Sequence, residues 1–539
     1  MQKTTKGKVP LSFKINSTIM KLIYLLLLSV FLTTATFGQY QNIVIDSEGS
    51  PEEPSIMINP NNPDQLVAGS NIDNYYYSED GGFTWTKGTL VSTVNGVWGD
   101  PCIIVDTAGT FYYFHLANPP AGSWIDRIVA QKFDFTTHTW TDGTYTGKNG
   151  TKAQDKAWAV VDSATNAIYV TWTQFDSYGS PSPDFISIIL FSKSTDNGET
   201  WSTPLRINKT PGDCRDSDNT VEGAVPAVGP NGEIYVAWAG PDGIVFDRSL
   251  DGGNTWLDDD IFISDQPGGW DYDIPGIYRA NGLPITCCDL SNSPYRGTIY
   301  VNWTDARNGD NDHDVWIAKS TDGGNTWSAP IKVNDDPAGK EQFFTWMTID
   351  GANGDVYVVF YDRRNYSDNN TDVYIARSTD GGETFQNIKI SESPFLPYSS
   401  VFFGDYTNIT AYDGKVRPIW ARLQDGYLSV LTAIVDFTVG VDELTAQTAA
   451  PVSLEQNYPN PFKETTTIAF KLSDPSEISL SVYDIWGRKT AVIIDKEYRN
   501  KGKYIEHFNA SQYHLTDGVY YFVLNAGTVT KTQKIMLVN

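Results

Sequence analysis

Short runs that alternate β-branched or aromatic residues with polar ones, broken by Asn-Gly, Asp-Gly and Gly-Gly turns, fill most of the chain up to about residue 437. A period of two predicts strands, not helices. Five runs share one form and close on a ring: Phe111–His115 (FYYFH), Ile168–Trp172 (IYVTW), Ile234–Trp238 (IYVAW), Ile299–Trp303 (IYVNW) and Val356–Phe360 (VYVVF). Interleaved with them are five copies of Ser-x-Asp-x-Gly-x-Thr-Trp/Phe: Ser78–Trp85, Ser194–Trp201, Ser249–Trp256, Ser320–Trp327 and Ser378–Phe385.

The copies have the chemistry of a hairpin turn. Asp80, Asp196, Asp251, Asp322 and Asp380 can accept the turn's own N–H groups, the glycine supplies a left-handed position, and the Ser and Thr hydroxyls tie the strand ends together. The closing aromatic is free to wedge against a neighbouring sheet. Ser78 to Ser378 divides into five intervals of about 60 residues if Phe133–Trp140 (FDFTTHTW) is a decayed copy, and each interval then holds about four strands, one blade of a propeller. After the last copy, Ile409–Tyr412, Val416–Arg422 and Tyr427–Phe437 supply three strands, and Gln41–Asp46 is an orphan at the other end. Placing the orphan in the last blade leaves no free edge. Seven blades are expected, with six as the alternative.

These turns are Asp boxes, and the chain resembles the sialidase-like family of Asp-box β-propellers. The resemblance implies that the boxes are structural and lie on the face away from the ligand. It also implies six blades, three arginines on a sugar carboxylate, a Tyr nucleophile activated by a Glu, and an Asp acid/base, an exception to the two-carboxylate rule of glycosidases. The family's first arginine belongs to an Arg-Ile-Pro motif at the first inner strand. Here that stretch reads Glu52-Glu53-Pro54-Ser55-Ile56, with an acid where the arginine should stand.

Both ends of the chain differ from the middle. Lys21–Gly38, in a leading region of residues 1–38, has the basic start, apolar run and small-residue exit of a secretory signal peptide, and Met20 is a second candidate start. No other apolar run approaches the ~20 residues of a spanning helix, so no transmembrane anchor is expected in the mature chain. Residues 438–451 read as a linker between the propeller (39–437) and a small domain (452–539). In that domain Leu454–Phe462 (LEQNYPNPF), Ser481–Arg488 (SVYDIWGR), Asp517–Phe522 (DGVYYF) and Lys531–Asn539 (KTQKIMLVN) resemble, in order, the type IX secretion sorting domain of the Bacteroidetes. The resemblance implies an immunoglobulin-like β-sandwich, the type IX machinery as partner, and a secreted or outer-membrane-surface location.

A net charge of −26 argues against nucleic acid as a partner. Four cysteines are too few to staple a secreted chain of 539 residues. A bridge from Cys214 to Cys287 or Cys288 competes with four free thiols, because spacing does not fix connectivity. With five His and no HExxH, catalytic zinc is not expected.

The boxes would join strands on the lower face, so the blade-to-blade connections emerge on the upper one. They carry acids just before the inner strands, and Asp100, Asp155, Glu222, Asp405 and the adjoining Tyr406 are the catalytic candidates, with Trp346 and other rings between them. Convergent carboxyls over an aromatic floor suit a sugar, although acids can equally cap strands and rings can fill space between blades. Two upper loops repeat a Trp/Phe-x-Asp-x-Arg form: Arg307, Arg363 and Arg364 either clamp an anionic group on a sugar or pair with Asp305 and Asp362 as braces. Tyr278-Arg279 is the other substrate-binding candidate. Asp310, Asp312 and Asp314 alternate as oxygen ligands around Ca²⁺ do, without an EF-hand's Gly and Glu; no cofactor is expected beyond a structural Ca²⁺ there, and a solvated turn is the competing reading.

The pattern points first to an extracellular glycoside hydrolase acting on a glycan. A non-catalytic glycan- or protein-binding propeller is the alternative, and a polysaccharide lyase using Lys156 or Tyr406 as base is the third.

Overall fold

The computed structural model describes residues 40–120, 124–437, 452–454, 457, 459–472, 475–484, 487–527 and 529–538. The leader expected at 1–38 and the linker expected at 438–451 lie outside the described residues. The chain divides into two compact units, Met1–Val439 and Gly440–Asn539.

Among the described residues the first unit contains seven antiparallel sheets, six of four strands and the second of five, plus one two-stranded ribbon; the strands follow sequence order except in the last sheet, which takes its outer strand from the start of the chain. The innermost strands are Ser55–Ile58, Cys102–Val105, Ala153–Val161, Glu222–Val228, Ile285–Cys288, Gln342–Ile349 and Asn408–Tyr412. Each contacts the innermost strands of the sheets before and after it, so the seven form a closed ring, a β-propeller. Gln41–Asp46 pairs with Tyr427–Asp436 and completes the last sheet, as the orphan strand predicts. Arg417, almost fully buried, seals that join by donating to the Gly81 carbonyl of the first sheet's box at 2.7 Å.

Second strands are buried on both faces, which explains their near-continuous apolar runs; Trp172, Trp238, Trp303 and Trp420 have no more than 1% exposure. The box tryptophans pack edge-on against the preceding sheet, Trp201 on Phe114, Trp256 on Phe191 and Trp327 on Phe246. All five boxes close alike. In the fourth, Ser320 Oγ donates to Asp322 at 2.8 Å while the N–H and hydroxyl of Thr326 donate to the same carboxylate at 3.0 and 2.7 Å. The cysteines are all free thiols, so the Cys214 bridge does not form. Cys214 sits in a connection of the third sheet, bridged by backbone to Ser180, whereas Cys287 and Cys288 lie on the innermost strand of the fifth.

The second unit is a β-sandwich of a three-stranded sheet (Val452–Leu454, Thr465–Leu472, Gly502–Asn509) and a four-stranded one (Lys489–Arg499, Ser476–Asp484, Gly518–Ala526, Val529–Leu537). Ile468, Phe470, Leu480, Val482, Phe522 and Ile535 form its own core.

Candidate functional site

One backbone device recurs where the innermost strands begin. Glu53, Asp100, Lys156, Gly223, Phe344 and Gly404 all have φ between +47° and +91°. In the third, fourth and sixth sheets this residue sits inside a β-bulge, between Asp155 and Trp158, Glu222 and Val225, and Phe343 and Trp346. Bulges re-aim side chains, and non-glycine residues held left-handed cost roughly 1–3 kcal/mol each. Four of the six positions accept that strain to carry a side chain there. Gly404 has another reason to be glycine: a Cβ would come within 2.8 Å of the Glu53 nitrogen.

The device collects charge from distant parts of the sequence at the upper mouth of the channel. Asp405 accepts from Lys156 Nζ at 2.8 Å and from Arg279 Nε at 2.8 Å, and a second Arg279 nitrogen reaches the same carboxylate. Arg279 comes from residues 265–284, the long connection between the fourth and fifth sheets, whose ribbon pairs Asp271–Tyr272 with Ala280–Asn281. From that ribbon Asn281 also donates to the Asp405 carbonyl at 2.8 Å. Across the mouth, Asn71 Nδ2 donates to Glu52 at 3.1 Å and to Glu53 at 2.5 Å, while its Oδ1 accepts the Asp100 N–H at 2.8 Å. On a third side Tyr178 donates to Asp216 at 2.5 Å, and Asp216 lies 3.5 Å from Arg279. Glu222 is fully buried and neither of its carboxyl oxygens has a hydrogen-bond partner. Trp158, Trp346 and Tyr406 wall the cavity, with Trp158 4.4 Å from Trp346 and 5.1 Å from Tyr406, ring to ring.

Burial without enough cations splits these groups into two proton states. Burial works against ionisation of Asp405, but Lys156 and Arg279 outweigh it and hold the carboxyl well below its ordinary range. Burial also opposes the charge on Lys156; Asp405, Asp100 and Asp155 outweigh it and hold the ammonium well above. The remaining acids have no such partner. Burial, then the negative charge of Asp405, pushes Glu52 up to about 8. Burial, then Asp100, pushes Asp155 up to about 8. Glu53 and Glu222 move the same way, chiefly through burial. Tyr406, its hydroxyl unpartnered, is raised well above a normal phenol by burial and by Asp100 and Glu53.

Of the residues singled out in the sequence, Asp100, Asp155, Glu222, Asp405, Tyr406, Arg279 and Trp346 come together at this mouth. Arg307, Arg363 and Arg364 bond to no residue of it. Arg307 is held by Asp305 at 2.9 Å and Arg364 by Asp362 at 2.8 Å, within their own loops. Arg363 donates to the Pro275 carbonyl at 2.7 Å and so braces the connection that carries Arg279. Tyr278 is 60% exposed, beside Arg279. Asp312 accepts the Gly339 N–H at 2.7 Å and Asp314 accepts from Asn334 at 2.5 Å, while Asp310 is exposed. Among the described residues no group of three or more His, Cys, Asp or Glu could hold a metal ion. Sequence reasoning missed Asn71, Asp216 and Tyr178, which lie outside the stretches just before the inner strands. Glu53 and Lys156 do carry a signal, since they occupy the same step before those strands as Asp100.

Residues 456–538 match the family described as secretion system C-terminal sorting domain. A search of curated proteins found no match. Solved structures similar to the chain include a Hadza microbial sialidase (15% identity, 69% of this chain and 75% of that one, TM-score 0.41). An ulvan lyase of a new polysaccharide lyase family is similar at 13% identity over 74% of this chain and 96% of that one, with a TM-score of 0.44. The α-L-arabinofuranosidase of Fusarium graminearum is similar at 12% identity over 74% and 98%, with a TM-score of 0.41. No described helix is long and apolar enough to cross a membrane. The C-terminal unit is the sorting domain of the type IX secretion system, which takes the chain to the cell surface or the extracellular space.

Proposed function

We propose that the propeller is an extracellular glycoside hydrolase that cleaves a glycan at this mouth by general acid–base chemistry. The observation that carries the reading is the pairing of proton states: Glu52 is held protonated at neutral pH, close to Asp405, which is held ionised. Glycoside cleavage needs one carboxyl to protonate the leaving oxygen and another, ionised, to act as base or nucleophile, and opposed environments assign such roles. Glu52 is the acid, at the edge of burial with 9% exposure, and half-buried Asp100, whose backbone N–H is held by the same Asn71 side chain that donates to Glu52, is the partner carboxyl. Trp158 and Trp346 exclude water and keep the charges strong. Asp405, clamped by two cations, fixes the wall and does not move protons.

Two features favour hydrolysis of a neutral sugar over sialidase or lyase chemistry. Both cations of the mouth are already committed to Asp405, which leaves no free arginine clamp for a sugar carboxylate. Lys156 is held protonated and Tyr406 is held as a phenol, so neither is poised as a lyase base or a phenolate nucleophile.

The purified chain should be screened against neutral, amino, sulfated, uronate and sialylated glycans. Glu52→Gln and Asp100→Asn should each reduce turnover by roughly 10²–10⁴-fold at unchanged fold. Inactivity on every class by a folded chain, or variants that turn over like the wild type, would overturn the reading; binding without turnover would leave a glycan-binding propeller in its place.

A further inference from the structure

We propose that the mouth is the centre of an extended cleft that holds several consecutive residues of a neutral glycan polymer, stacked on Trp124 to one side and on Tyr278 to the other. The inference rests on the glycan reading above and adds the length and charge of what is bound.

A continuous line of contacts crosses the mouth. Trp124, 42% exposed, stands edge-on to Tyr178 at 5.2 Å and 82°. Tyr178 donates to Asp216, which faces Arg279. The Arg279 guanidinium lies 5.1 Å over the ring of Phe402, and Phe402 meets Tyr278 edge-on at 5.9 Å and 83°. These residues stand on upper-face connections of several sheets, the second for Trp124, the third for Tyr178, the fourth-to-fifth for Arg279 and Tyr278 and the sixth-to-seventh for Phe402. The line therefore spans the ring of sheets and passes beside Asp405.

Each of the two exposed rings is held edge-on by an aromatic neighbour and so presents a fixed flat face on which a ligand can stack. Their spacing decides which ligand. They do not form one apolar patch, as a protein or lipid partner would need, but stand at either end of a row of hydrogen-bonding groups. A pyranose or furanose chain has that alternation, with C–H faces that stack on rings and hydroxyl edges that bond to Asp216, Arg279 and Asn281. Charge selects a neutral chain, because Lys156 and Arg279 are already paired with Asp405 and Asp216 and leave no cation to hold a polyanion.

Affinity electrophoresis of the full chain through gels containing arabinan, xylan, mannan, mixed-linkage β-glucan or, as polyanions, polygalacturonate and ulvan tests this directly. At least one neutral polymer should retard the wild type and neither polyanion should. Trp124→Ala and Tyr278→Ala should each weaken that retardation by about tenfold, the loss of roughly one ring contact, and Phe262→Ala, an equally exposed ring on the outer strand of the fourth sheet, should leave it unchanged. Retardation by a polyanion alone, no retardation by any polymer, or retardation that both variants retain would overturn the cleft. Turnover is a separate readout: polymer binding lost in both variants without any cleavage keeps the cleft and removes the hydrolase, whereas cleavage of short glycosides without polymer binding does the reverse.

Discussion

Acids stand at both ends of the propeller, and they behave oppositely. On the lower face four of the five box aspartates are exposed and Asp380 is half-buried, and all have both oxygens occupied by donors from their own turn. The Thr hydroxyl, then its N–H, pulls Asp196 and Asp322 down to about 2. At the upper mouth Glu52 and Asp155 are buried, short of donors, and pushed up to about 8. The lower acids repeat because each blade needs the same turn. The upper ones do not repeat in their partners: Asn71 serves two glutamates, two cations serve one aspartate, and Glu222 has no partner. Repetition with full satisfaction marks scaffold; an unrepeated, under-satisfied cluster is where proton chemistry can be stored.

The sharpest way to break this comparison is to remove Asp405. Asp405→Ala leaves Lys156 as a buried cation without its nearest partner and Arg279 with Asp216 alone, so the first unit should lose about 3–5 kcal/mol of stability in denaturant unfolding followed by tryptophan fluorescence. A loss under 1 kcal/mol would mean that the mouth is wet and its charges are screened as on a surface.

A second, smaller effect separates the two faces by pH. Glu52 and Asp155 ionise at about 8 when folded and near 4 when unfolded, so between those values the native state holds protons that the unfolded chain has lost. Their stabilising protonation is complete below about pH 4 and is lost as pH rises, at roughly 1.4 kcal/mol per unit for each group up to about pH 8. Asp405 acts in the opposite sense, losing its contribution only as pH falls below the ordinary carboxylate range. Unfolding midpoints should therefore decline from pH 5 to 8, and Glu52→Gln should flatten the slope. A midpoint flat across that range in the wild type would refute the buried, proton-holding mouth.

The scaffold was legible because its information is local. Strand alternation and box chemistry lie within eight residues, and even the closing pair of Gln41–Asp46 with Tyr427–Asp436 follows from counting strands. The acids before the inner strands were legible for the same reason, recurring at one step of the repeat. Their meaning was not. Lys156 and Asp405 are 249 positions apart and Arg279 and Asp405 are 126 apart, so no periodicity pairs them. Arg307 and Arg364, the more eye-catching pattern, bond two residues away to Asp305 and Asp362. Glu341 also precedes an inner strand, yet it is taken by His313 at 2.7 Å. Position in a repeat identifies which side chains can reach a face, and burial decides which of them stay unpaired.

The smallest expected effect sharpens the comparison from the scaffold side. Asp322→Ala removes the acceptor of the buried Ser320 hydroxyl and of the Thr326 N–H and hydroxyl, but Thr326 is at the surface, where water replaces the lost carboxylate. In a unit of about 400 residues the unfolding midpoint should fall by only about 1–2 °C, and glycan binding or turnover should not change. The pH dependence should also run opposite to that of the mouth. Because the folded Asp322 titrates at about 2, below its unfolded value, its contribution is present above about pH 4 and disappears as pH falls toward 2. Wild type and variant midpoints should therefore converge in acid and differ by a constant amount above pH 5. A variant that keeps its midpoint but loses glycan binding would move the boxes from scaffold to site and end the distinction between the two faces.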